Sequence, residues 1–214
     1  MRVAVVGVTG SVGREMLGIL EEREFPVDEL LPLASARSEG KKVPFRGEQV
    51  PVAELTNERL ASVDLALFSA GAKVSREFVP KAAEAGVTCI DNSSAFRMEP
   101  DVPLSIPEIN PEALEGSPKI VSVPNCTAIT ALMPVGPLHR AAGLRSLVLS
   151  SYQSVSGAGW KAVRELVEQV EKLHGREEEL GHPDPAAMPV GDVMGKTIAY
   201  NVVAKIGDFE VGFP

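Results

Sequence analysis

Four apolar residues in a row, Val3-Ala4-Val5-Val6, run straight into Gly7-Val8-Thr9-Gly10-Ser11-Val12-Gly13, and helical spacing follows to about Arg23. No other stretch limits the fold so tightly. A strand that is apolar at every position must be buried on both faces, as happens in parallel sheets covered by helices on either side. The pattern then recurs. Buried-type strands are expected at Leu30–Ala34, Asp64–Phe68, Val87–Ile90 and Ile120–Val123, with a helix from Ser69-Ala70-Gly71 to about Ala85. Residues 41–52 alternate with Gly and Pro interruptions and read as a hairpin-like excursion. Strands alternating with helices predict an α/β fold built on a mostly parallel sheet.

The second half reads differently. Residues 97–118 carry Pro100, Pro103, Pro107, Pro111 and Pro118 and are expected to form an irregular crossing segment. A helix is expected from Cys126 to about Ala142 despite Pro134 and Pro137, then a long strand at Leu147–Val155. Trp160–His174 reads as an amphipathic helix through Val163, Leu166, Val167, Val170 and Leu173. Residues 175–192 read as a loop, and Thr197–Pro214 opens with strand-like Ile198–Val203.

Composition excludes several classes of function. With 44% hydrophobic residues in 214, the chain can bury a sizeable core. A net charge of −8 argues against nucleic acid as a partner. No apolar run approaches the roughly 18 residues of a membrane span, and Met1-Arg2 enters the first strand with no signal peptide. Cys89 and Cys126 have unlike surroundings and are expected to be free thiols in a reducing cytoplasm. His139, His174 and His182 show no metal-ligand spacing, so no metal is expected.

The glycines at 7, 10 and 13 follow the first strand and open a helix, the placement of a Rossmann-type dinucleotide site, though the spacing differs from the commonest one. Glycine lets backbone approach a pyrophosphate, and the helix start supplies N–H donors. The alternative is a plain turn. The expected contacts are Gly7, Thr9, Gly10, Ser11, Val12 and Gly13, with Ser69 and Gly71 after the third core strand. The second strand ends Ala34-Ser35-Ala36-Arg37-Ser38, with hydroxyls and a guanidinium where an NAD site usually has an acid. Arg binds phosphate through paired, charge-assisted hydrogen bonds. Ser35, Arg37 and Ser38 therefore point to the 2′-phosphate of NADP, with a solvated surface Arg as the alternative.

Cys126 lies in Val-Pro-Asn-Cys-Thr, at a strand-to-helix corner. A thiol at a helix start meets unpaired N–H groups and the positive end of the dipole, which favour the nucleophilic thiolate. The alternative, a small buried apolar residue, suits Cys89 better. A nucleotide site followed by a Cys nucleophile suggests oxidation of an aldehyde through a thioester, released by water or, if the site binds an oxyanion, by phosphate. Arg97 is a candidate phosphate clamp and Asn125 a candidate donor to the same oxyanion. Gln153 either ties loops together or acts on the substrate. Ser156-Gly157 allows backbone close to a nicotinamide.

With these segments in view, the chain resembles the aspartate-semialdehyde dehydrogenases. The resemblance is carried by Gly-Val-Thr-Gly-Ser-Val-Gly at 7–13, Ala-Ser-Ala-Arg-Ser at 34–38 and Asn-Ser-Ser-Ala-Phe-Arg-Met at 92–98. Val-Pro-Leu-Ser-Ile-Pro-Glu-Ile-Asn at 102–110, Pro-Asn-Cys-Thr at 124–127 and Gln-Ser-Val-Ser-Gly-Ala-Gly at 153–159 complete it. It implies Cys126 as acyl-thioester nucleophile, Arg97 as phosphate ligand and Gln153 as a substrate-orienting residue. It also implies NADP as cofactor, a small-molecule substrate, inorganic phosphate as co-substrate, and a homodimer. The implied division is an NADP-binding domain over 1–124 and the first part of an α+β catalytic and dimerisation domain over 125–214. The family's general acid/base His, and a Lys and an Arg for phosphate and carboxylate, are expected beyond Pro214. The chain thus reads as part of a longer enzyme. The rival readings are N-acetyl-glutamyl-phosphate reductase and a non-catalytic NADP-binding or assembly fragment.

Overall fold

Strand β1 (Arg2–Val6) sits in the middle of the sheet, and its burial explains why. In the computed structural model, which describes residues 1–204, Val3, Ala4, Val5 and Val6 are fully buried. Alternate side chains enter opposite layers, as strand geometry requires. Ala4 and Val6 pack with Leu33, Ala66, Phe68, Val79 and Cys89. Val3 and Val5 pack on the other side with Leu17, Leu20, Val43 and Phe45. Each fully buried Val contributes roughly 1.5–3 kcal/mol relative to exposure.

The chain continues through α1 (Ser11–Glu22), β2 (Glu29–Ala34), β3 (Lys42–Phe45), β4 (Glu48–Pro51), β5 (Ala53–Glu54) and α2 (Asn57–Ala61). Then come β6 (Leu65–Phe68), α3 (Ala72–Glu84), β7 (Thr88–Asp91), β8 (Ile120–Ser122), α4 (Cys126–Ala142) and α5 (Trp160–Leu173). Six strands form one parallel sheet in the order β5-β2-β1-β6-β7-β8. Val6 lies opposite Leu33 on one side and Phe68 on the other. The chain leaves β1 toward β2 and later returns to its far side as β6, so the strand order reverses at β1, where open α/β sheets bind ligands. The expected excursion at 41–52 is the antiparallel hairpin β3–β4. The short β5 and α2 were not anticipated. They are too brief for a periodic signal, although Thr56 caps α2 by accepting from the Arg59 N–H.

Contacts divide the chain into Met1–Ser151 and Tyr152 onward. In the first unit α4 forms as expected, although Pro134 and Pro137 remove two of its N–H donors. In the second unit α5 buries Ala162, Glu165, Gln169 and Leu173, not the purely apolar stripe the sequence suggests. Val167 is half exposed. The two polar side chains are buried because they bind backbone. Glu165 accepts from the N–H groups of Val193 and Met194, and Gln169 accepts from those of Ile198 and Ala199.

Two expected strands do not form. Residues 143–154 have no regular structure, Val148 is 97% exposed, and Val155–Ala158 make a short 3-10 turn. Ile198–Val203 runs through a turn, and Lys205–Pro214, the rest of that segment, lies outside the described residues. A strand is stable only beside a neighbour that completes its N–H and C=O bonds. Among the described residues no strand pairs with either segment.

Two glycines of α1 should respond oppositely to alanine. A Cβ on Gly13 would lie 2.5 Å from the Gly7 carbonyl oxygen, whereas one on Gly18 meets nothing within 4 Å. Gly13→Ala is expected to cost about 1–3 kcal/mol through forced backbone movement, and Gly18→Ala to gain about 0.5–1 kcal/mol of helix propensity. Urea unfolding of the two variants checks this; equal shifts would refute the packing argument.

Candidate active site

The carboxyl ends of the parallel strands carry the predicted residues. After β1 the backbone turns at Gly7, with φ of +86°, a conformation that glycine alone adopts without strain. The Gly7 and Val8 N–H groups donate to the Leu33 carbonyl at the end of β2, at 2.8 and 3.3 Å, and Gly10 N–H donates back to Gly7. A Cβ on Gly7 would fall 2.5 Å from the Ser69 carbonyl oxygen. The glycine turn and the Ser69-Ala70-Gly71 turn after β6 are therefore in direct contact. Gly10 is the N-cap of α1; no side chain caps this helix and no acid occupies its first turn. That leaves the leading N–H groups available to a phosphate group. Gly71 likewise opens α3, with φ of +89°.

Beyond β2, Ala36–Ser38 form a 3-10 turn in which the Ser38 N–H donates to the Ser35 carbonyl. Ser35 and Arg37 are exposed and Ser38 is buried. Lys41, which the sequence reading did not single out, places its ammonium 3.5 Å from the Ser38 hydroxyl. Two cations and two hydroxyls thus share this loop, a set of groups suited to an anion.

Cys126 is the first residue of α4 and is exposed. Asn125 is the N-cap: its side-chain oxygen accepts from the Thr127 N–H at 2.9 Å and lies 3.9 Å from the Cys126 sulfur. The helix-start placement read from the sequence is the one observed. The Asn125 oxygen accepts within the cap, and its amide NH2 is the group able to donate to an oxyanion. Arg97 is half-buried; its Nε donates to the Val123 carbonyl at 2.9 Å and its Nη2 to that of Asn92 at 3.1 Å. The guanidinium is thereby tethered three residues before Cys126. Cys89 is different. Buried in β7, its thiol is pushed up to about 12 by desolvation and then by the nearby Asp91 charge.

Gln153, Ser156 and Gly157 belong to the second unit. Gln153 lies outside any strand. A Cβ on Gly157 would come 2.5 Å from the Gln153 amide nitrogen, so glycine at 157 leaves room for that side chain. Ser154 accepts from both the N–H and the hydroxyl of Ser156. The sequence reading also passed over Asp91 and Ser75. Asp91 ends β7 fully buried, and Ser75 on α3 donates to it at 2.7 Å. An acid closing an apolar strand just before Asn-Ser-Ser was a legible sign of an Asx-type turn. Nothing local marked Ser75, which reaches Asp91 only through tertiary folding.

Family models account for most of the chain. The model of the semialdehyde dehydrogenase NAD binding domain matches residues 2–117, and that of the semialdehyde dehydrogenase dimerisation domain matches residues 135–211. The aspartate-semialdehyde dehydrogenase of Aquifex aeolicus is 45% identical over 212 residues, which are 97% of this chain and 59% of the relative. The crystal structure of aspartate semialdehyde dehydrogenase II from Vibrio cholerae is similar with a TM-score of 0.87 at 42% identity, covering 98% of this chain and 60% of that one. The aspartate semialdehyde dehydrogenase of Candida albicans, solved with NADP, is similar over 67% of this chain and 48% of its own, with a TM-score of 0.57 and 27% identity. The chain thus spans about 60% of the length of the first two. Among the described residues, no helix is long and apolar enough to cross a membrane.

The contrast between the two thiols is directly measurable. Brief treatment with iodoacetamide at neutral pH, followed by peptide mass spectrometry, is expected to modify Cys126 and leave Cys89 intact until the protein unfolds. Preferential labelling of Cys89 would contradict the burial of β7.

Proposed function

The chain belongs to the semialdehyde dehydrogenase family, and on that premise we propose that its protein reduces 4-aspartyl phosphate to aspartate 4-semialdehyde with NADPH. In reverse, the semialdehyde is oxidised only with inorganic phosphate. The reaction serves lysine, threonine, methionine and diaminopimelate biosynthesis. The observation that carries this reading is the position of Cys126. It is an exposed thiol at the first residue of α4, at the same carboxyl edge of one sheet that holds the glycine turn.

In this reading the Cys126 thiolate attacks the acyl carbon of the acyl phosphate, and phosphate departs with the bonding pair to leave a thioester. A bound NADPH would supply the hydride for reducing the acyl group held on Cys126, whose thiolate is the leaving group. Arg97 and the Asn125 amide hold the phosphate oxyanion, and Gln153 orients the substrate. Gly7, Thr9, Gly10, Ser11, Val12 and Gly13, with Ser69, Gly71, Ser156 and Gly157, hold the dinucleotide. Ser35, Arg37 and Ser38 read its 2′-phosphate. Residues 1–124 form the cofactor-binding part and 125–214 contribute to acyl chemistry and to a homodimer. The names of the relatives support the aspartyl substrate over its acetylglutamyl counterpart.

Two experiments test this. Arg37→Ala is expected to weaken NADPH binding by roughly 1.5–3 kcal/mol, the worth of a charge-assisted contact, with NADH binding little changed. Calorimetric titration of both cofactors decides; equal losses would remove the NADP assignment. In steady-state assays of the protein containing this chain, semialdehyde oxidation should require phosphate. Arg97→Ala should raise the KM for phosphate far more than that for NADP. Oxidation at full rate without phosphate would contradict the mechanism.

A further inference from the structure

Asp91 is a buried carboxylate for which the reaction just described has no use. It is fully buried at the end of β7, yet among the described residues no cation pairs with it. Burying an ionised group without partners costs several kcal/mol. Here the compensation is three hydrogen bonds, one from Ser75 on α3 and two from Ser93 in the loop after β7. The Ser75 hydroxyl, on α3, donates to Oδ1 at 2.7 Å. The Ser93 N–H donates to Oδ1 at 3.1 Å, and the Ser93 hydroxyl to Oδ2 at 2.7 Å. Ser93 then accepts from the Ala95 N–H at 3.1 Å. The loop after β7 is wound around this one carboxylate.

The loop ends at Arg97. Ala95 and Phe96 are buried in the core that contains Phe68, so Arg97 is the first side chain released from the packed segment. Its guanidinium is held by two backbone carbonyls. One belongs to Asn92, the residue after Asp91, where the wound loop begins. The other belongs to Val123, whose own N–H donates to the Asp91 carbonyl at 2.8 Å. Val123 leads through Pro124 and Asn125 to Cys126. The carboxylate of Asp91 organises the start of the loop through Ser93, while its backbone carbonyl pairs with the strand end that leads to Cys126.

We propose that Asp91, acting through Ser93, is a positioning residue that holds Arg97 as an anion clamp beside Cys126. The inference rests on the reading of Arg97 as an oxyanion ligand. Asparagine at 91 would be a poor replacement: it has a single acceptor oxygen and would turn an NH2 toward a donor already present. Ser93 supplies the link to the loop, and Ser75 ties the same carboxylate to α3, which begins beside the cofactor turn.

The test uses the chain itself and needs no turnover. Iodoacetate and iodoacetamide have nearly the same shape, but only the first is an anion. The ratio of their alkylation rates at Cys126 reports the electrostatic pull of a nearby cation, while the iodoacetamide rate alone reports access to the thiol. Arg97→Ala, Asp91→Asn and Ser93→Ala are each expected to lower the ratio about threefold to tenfold, the scale of one unit charge acting near solvent. Ser93→Ala combined with Arg97→Ala should lower it no further than Arg97→Ala alone, since both remove one clamp. Ser93→Thr should restore it. If Arg97→Ala leaves the ratio unchanged, the anion-clamp reading falls and this proposal with it. If Arg97→Ala lowers the ratio but Ser93→Ala does not, Asp91 serves only the fold and the proposal is overturned, while Arg97 keeps its role. Should Asp91→Asn fail to fold, Ser93→Ala decides alone. A drop in thermal midpoint without a change in ratio counts against positioning.

Discussion

The contact between the Gly7 turn and the Ser69 carbonyl is the constraint on which the site depends. β1 and β6 lie side by side, and both chains must turn sharply at the same level of the sheet. With 2.5 Å between a hypothetical Gly7 Cβ and the Ser69 oxygen, only a hydrogen fits. The two turns can then open α1 and α3 from adjacent points, with uncapped N-terminal N–H groups at both. A side chain at position 7 would push the turns apart and separate the two helix starts. The fully buried β1 makes that separation costly, because apolar layers on both faces hold its position.

From that point outward, each strand end adds one chemical function. β2 ends in the hydroxyls and cations of Ser35, Arg37, Ser38 and Lys41. β7 ends in Asp91 and the loop to Arg97, and β8 in the corner to Cys126. The strands are parallel and in register, so these groups lie along one edge although they are up to about 90 residues apart in sequence. The chemistry of the edge is graded as well. Cys89 in β7 and Cys126 at the start of α4 are the same side chain in unlike surroundings. One is desolvated among apolar residues, its thiol raised to about 12; the other is exposed at a helix start. Burial, with the Asp91 charge beside it, disfavours the Cys89 thiolate, whereas Cys126 is accessible.

Helix α5 shows how a polar residue comes to lie where periodicity calls for an apolar one. Glu165 and Gln169 are buried because the backbone at 193–199 brings four N–H groups that need acceptors. Asp91 obeys the same logic in the first unit. In both places the side chain substitutes for secondary structure by completing the hydrogen bonds of an irregular segment.

The sequence by itself determined what depends on near neighbours. Continuous apolar runs specified β1, β2, β6 and β7 as buried strands, because two-sided burial disfavours polar positions. The glycines at 7, 10 and 13 marked the turn, and Pro124-Asn125 marked the corner that starts α4 at Cys126. Arg37 and Arg97 were visible as cations in short loops. Tertiary structure alone decided what depends on distant partners. Leu147–Val155 has the composition of a strand, yet strand formation requires a paired neighbour that composition cannot supply. The polar face of α5 and the link from Ser75 to Asp91 carry no periodic signal. Each joins groups that only the completed fold brings within hydrogen-bonding distance.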